Sequence, residues 1–144
     1  MSATNAFEDK ILSLYLTNVD AANIGDATGL RGSTTAGSVF VSLHTADPGE
    51  TGDQTTSESA YTNYARVAVA RSTAGWTVTS GVGDNDSVIT FPQCGVTGST
   101  ITHFGLGSAT SGAGSRDMNG TASLVVSQNI TPQFAAGALD VTCD

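Results

Sequence analysis

A chain of 144 residues with 39% apolar side chains is long enough to bury a core and too apolar to remain disordered. With 13 acidic against 5 basic residues its net charge is −8, which sets it against nucleic-acid phosphates and anionic membranes as partners. No run of 18 apolar residues offers a transmembrane helix, and the opening MSATNAFEDK lacks the basic-then-apolar order of a secretory signal, so the protein is expected to stay in the cytosol where it is made.

The first element predicted is a helix over residues 5 to about 17. Asn5 is its expected cap, Glu8 completes a capping box, and Glu8 and Asp9 suit the positive end of the helix dipole. Phe7, Ile11, Leu14 and Tyr15 follow i, i+4, i+7, i+8 spacing, with Leu12 and Leu16 widening the apolar stripe. That stripe must pack either on its own domain or on a neighbouring subunit. Residues 18–37 follow, broken by Gly25, Gly29, Gly32 and Gly37, and read as an extended arm or tether. A domain boundary is placed here, with helix and arm over 1–37 and a β-domain over 38–144.

Beyond residue 37 the chain reads as strands. It is rich in residues that favour turns and strands, with 16 Ser, 21 Thr and 17 Gly in the whole sequence. SVFVSLHT, ARVAVAR, GWTVTS, SVITFP, ITHFGLG, TASLVVS and FAAGALDVT alternate in the two-residue period of a half-buried strand, giving seven or eight short strands. GVGDNDS, GVTGST and SATSGAGS are the expected turns, and Asn119-Gly120 is the strongest hairpin signal. The fold class is therefore all-β, an antiparallel β-sandwich or jelly roll with one N-terminal amphipathic helix and an extended arm. Val41, Leu43, Val67, Val69, Trp76, Val78, Phe91, Leu124 and Val126 are its predicted core.

Residues capable of chemistry are few. His44 and His103 sit inside strand patterns without a carboxylate spaced to orient either ring, so both read as structural. Ser42 and His44 lie two apart on one strand, and no G-x-S-x-G elbow exists. Asp47, Glu50 and Asp53 cluster in DPGETGD, either as a solvated turn or as oxygen ligands for calcium. Asp84 and Asp86 in GVGDNDS have the same two readings. Cys94 and Cys143 lack the spacing of a zinc site and are read as reduced thiols, with a late disulfide as the alternative. The sequons at Asn85, Asn119 and Asn129 are read as chance matches, GLGSATSGAGS lacks the ending of a phosphate loop, and the basic residues form no patch. The expectation is no catalytic residue, no metal site and no cofactor, hence no enzyme.

Specific strings carry a resemblance. VSLHTADPGETG, AYTNYARVAVARSTAGWTV, ITFPQC, ITHFGLG and ITPQFAAGAL resemble a family of small tailed-phage and prophage proteins, commonly labelled tail fibre or virion structural proteins, over about residues 5–142. LHTADPG and YARVAVARS are its specific parts. The resemblance implies a virion structural protein assembled in the host cytoplasm. Small β-sandwich proteins of phages often look like decoration or cement proteins that clamp the shell. The chain has no detectable repeat and is short for a fibre shaft, which favours a capsid decoration protein bound to the major capsid protein, with a tail fibre or tail appendage for host attachment as the alternative. Few charges, the helix stripe and open strand edges lead us to expect a homodimer or homotrimer, with neither nucleic acid nor membrane as partner.

Overall fold

The computed structural model describes residues 3–22, 24, 29 and 32–143, and Gly25, placed in the arm by the sequence, lies outside them. Helix α1 runs Asn5–Leu12 and continues as a π-helical turn over Ser13–Thr17, matching the predicted span. Its start differs from expectation. The N-cap is Thr4, whose carbonyl accepts from the Phe7 and Glu8 amides, and no side chain caps the end. Asn5 is already helical and donates to the Ser80 carbonyl. The buried stripe is also different: Leu12 and Leu16 are fully buried, whereas Phe7 is 47% exposed. The i, i+4 leucine pair is the row that meets the strands beside the helix, and the wider π turn brings Thr17 round to the same side.

Nine strands follow among the described residues: β1 Ser38–His44, β2 Val67–Ala70, β3 Trp76–Thr79, β4 Val82–Asn85, β5 Ile89–Thr90, β6 Ser99–Gly107, β7 Arg116–Val126, β8 Gln133–Phe134 and β9 Val141–Thr142. They form a four-stranded sheet in the order β2-β1-β6-β7, a three-stranded sheet β3-β4-β9 and a pair β5-β8. The strand pairs with a recorded register are all antiparallel. The fold is thus all-β with one N-terminal helix.

These elements fall into two units, and neither is continuous in sequence. The first combines residues 1–38, 70–88 and 135–144; the second combines 39–69 and 89–134. The units therefore interleave along the sequence. In the first, α1 packs on β3 and β4, and Leu16 lies where a side chain on Gly83 would stand. Trp76, Leu139 and Val141 complete that core. Thr79-Ser80-Gly81-Val82 is a two-residue hairpin with φ of 56° at Ser80 and 83° at Gly81, the left-handed geometry that matches strand twist. Asp9 on the helix accepts from the Gly81 amide at 2.6 Å, so the helix clasps this turn. The described ends of the 18–37 segment are tied together, with Asn18 bonding both amide and carbonyl of Ser33, and Asp20 accepting from Gly32.

In the second unit β1 is central. Val39, Val41 and Leu43 are buried on one side, Ser42 and His44 on the other. Phe104 of β6 meets Phe134 of β8 at 6.0 Å between ring centroids, and Phe134 meets Phe91 at 6.0 Å, so the short β5-β8 pair covers the apolar face of the larger sheet. Of the predicted core, Val41, Leu43, Trp76, Phe91 and Val126 are buried, while Val67, Val69, Val78 and Leu124 are half-buried. Asn119-Gly120 is not a turn. It lies inside β7, where Gly120 pairs with Phe104 and a Cβ would meet the Phe104 ring at 2.6 Å. Glycine serves close approach there, not chain reversal. The connection between β6 and β7 is instead SATSGAGS, as expected. GVGDNDS contributes β4 before it turns.

Candidate functional site

The polar face of the four-stranded sheet gathers most of the functional side chains of the second unit. Ser42 and His44 project from β1, and Ser42 Oγ stands 2.9 Å from His44 Nε2. His44 Nδ1 stands 2.8 Å from the Thr56 carbonyl, which can only accept, so Nδ1 carries the proton and Nε2 is the acceptor. Burial holds the imidazole below its ordinary pKa, against smaller raising effects from the Thr56 carbonyl and Glu58. Both residues are 0% exposed, and Gly105 of β6 lies directly over them. A serine hydroxyl with no open face cannot reach a substrate, and its histidine is oriented by a backbone carbonyl rather than a carboxylate. The pair is a buried polar link. His103, half-buried on β6, has Nδ1 2.9 Å from Thr102 Oγ1.

A strap over residues 45–57 covers this face. It is pinned at His44–Thr56, and at Gln54, which is buried and accepts from the Ala109 amide at 2.9 Å. Its third anchor is Arg116 of β7, whose guanidinium donates to the carbonyls of Pro48, Gly49 and Gly52. The acidic loop is therefore organised by an internal cation. Asp47 accepts from the Gly49 amide and Asp53 from the amide and hydroxyl of Thr55, each stabilising its own turn. Hydrogen bonds from Thr55 hold the Asp53 carboxyl below its ordinary pKa. Asp47, Glu50 and Asp53 do not converge, and among the described residues no group of three metal-binding side chains does.

Beside the strap a cleft of about 240 Å³ is lined by Glu58, Tyr64, Arg66, Thr110, Ser111 and Gly112. Arg66 and Glu58 form a two-point ion pair at 2.6 and 2.8 Å, with the arginine side chain 2% exposed. Arg66 also donates to the carbonyls of Ala109 and Gly112 at 2.9 and 2.8 Å, fixing the β6–β7 loop. Tyr64 donates to Glu58 at 2.9 Å and accepts from the Leu43 amide; burial pushes its hydroxyl well above the ordinary pKa, so it remains a donor. The cleft wall is thus a neutralised ion pair and small hydroxyls, a surface suited to uncharged polar groups rather than ions.

In the first unit Asp84 is held above its ordinary pKa, first by burial and then by its hydrogen bond with Asp140. Sequence reasoning placed Asp84 and Asp86 together and missed Asp140, which is distant in sequence. It also missed Asn85. This buried side chain donates to the Ser87 and Ala135 carbonyls and accepts from the Ala138 and Leu139 amides, so the residue singled out as a sequon is a structural hub. Cys94 is buried, Cys143 half-buried, and both are free.

Residues 2–142 match the family described as Podophage GP4 fiber I protein gp80. No curated protein matches the chain.

Proposed function

Because the chain belongs to the podophage GP4 fiber I protein gp80 family, we propose that it is a fibre component of a podophage particle, with a structural rather than catalytic role. Family membership makes it a structural protein of the bacteriophage virion, and the match over residues 2–142 is the observation that carries the fibre reading. The fold supports it. A chain with only 12% charged residues, stiffened by the Arg66–Glu58 ion pair and by pinned loops, suits a part that transmits load and contacts other proteins. Decoration of the capsid shell, the role favoured by the absence of sequence repeats, has no family description behind it. Quantitative mass spectrometry of purified particles separates the two. A fibre component is present in a few tens of copies and is released with tail fragments. Hundreds of copies that stay with emptied heads would reject the fibre reading in favour of shell decoration.

A further inference from the structure

The four-stranded sheet ends on β7, its longest strand at 11 residues. Among the described residues no backbone hydrogen bond outside the ladder with β6 reaches Met118–Val126, so the outer side of that stretch faces no strand. Side-chain burial says the same. Leu106 and Ile101 on β6 are buried, while Met118 and Leu124, their partners on β7, are only half-buried.

The charge distribution around this edge is lopsided. Residues 87–115 carry no charged side chain, nor do residues 118–139, in a protein of net charge −8. Four of its exposed large aliphatic residues fall in these stretches: Val88 in the first unit, and in the second Val96, Val125 and Ile130, which are 77%, 73% and 47% exposed. The last three sit together in the fold. The Cys94 amide donates to the Ile130 carbonyl and the Asn129 amide to the Cys94 carbonyl, both at 2.8 Å, and Val125 pairs with Thr100, just beyond the same loop. The opposite sheet edge is built differently: β2 has four residues and is bracketed by Arg66 and Arg71, as protected edges are.

We propose that the Met118–Val126 edge is an isologous seam along which a second copy of this chain adds its own β7, antiparallel, making one sheet continuous across two subunits. Charge selects the occupant. Two acidic copies repel wherever their carboxylates meet, and Met118–Val126 with the segment that follows it to residue 139 carries none, Asp117 standing just before it. Pairing centred on Ala122 sets Met118 against Val126 and Thr121 against Ser123 of the other copy, neutral against neutral throughout, and leaves Arg116 and Asp117 opposite Gln128 and Ser127. Main-chain bonds supply the register, and Val96, Val125 and Ile130 of both copies supply apolar area beside it. The proposal is independent of where on the virion the protein sits.

Sedimentation and light scattering of the full chain, from micromolar to near-millimolar concentration, test it. The wild type is expected to be a dimer, unweakened by salt. Thr121→Lys with Val125→Lys should give a monomer with the wild-type near-ultraviolet signal of Trp76, whereas Ala68→Lys on the β2 edge should leave the dimer intact. Should the lysine variant fail to fold, Ala122→Cys in a Cys143→Ser background gives a second reading, a covalent dimer on mild oxidation. A wild-type monomer at every concentration, a trimer or larger assembly, a dimer that survives both lysines, or no cross-link at residue 122 would overturn the proposal.

Discussion

Burial decides how His44 titrates. Its folded pKa lies below the ordinary 6.5, so the unfolded chain takes up the proton first and stability falls as pH drops from 6.5 toward the folded value, then levels off. Within that window the loss is about 1.4 kcal/mol per pH unit. Urea unfolding at pH 7.5 and 5.5 should show it in the wild type and not in His44→Gln. Asp84 works with the opposite sign, because its raised pKa makes its charged form unfavourable above that value, and it titrates in a lower range. Trp76 is a simpler case. It is 0% exposed in the core of the first unit, and Trp76→Ala should cost about 3–5 kcal/mol in chemical denaturation. Gly120→Ala should also destabilise, since the Phe104 ring occupies the space a methyl group needs.

At the level of elements, two arginines act as clamps. Arg71 donates to the Leu14 and Tyr15 carbonyls at 2.8 and 2.7 Å and to the Ala36 carbonyl at 3.0 Å, so it closes the C-terminal end of the helix and holds the base of the 18–37 segment. Arg71→Ala should lower stability by about 2–3 kcal/mol, as expected when carbonyls lose a charged donor. Arg116→Gln should leave β7 paired but raise hydrogen-exchange rates across the 45–57 strap, while Tm remains the same with calcium as with chelator. What was readable in sequence follows from how local each signal is. The strand β1 announces itself through apolar residues on a two-residue period, and β6 does so only over Phe104 and Leu106, beyond its irregularity at Ile101–His103. β4 does not, because Val82-Gly83-Asp84-Asn85 has turn composition and becomes a strand only through its partners β3 and β9. Asn119-Gly120 misleads for the converse reason: a local turn preference is overridden by eleven residues of ladder and by the Phe104 ring. The strap was visible as an acidic loop, but Arg116 as its organiser was not, since the two lie more than sixty residues apart.

For the molecule as a whole, the order in which the chain visits its two units makes them unequal under truncation. The first unit takes its helix from the N-terminal segment and its third strand, β9, from Val141–Thr142, with Leu139 in its core and Asn85 bonded to Ala138 and Leu139. A chain cut after residue 134 still carries the helix and the Ser80-Gly81 hairpin, but their sheet lacks its third strand. Every segment of the second unit is present in that same chain. A premature stop after residue 134 should yield a chain that retains the β1-β6-β7 sheet yet displays the leucine face of α1 to chaperones and proteases.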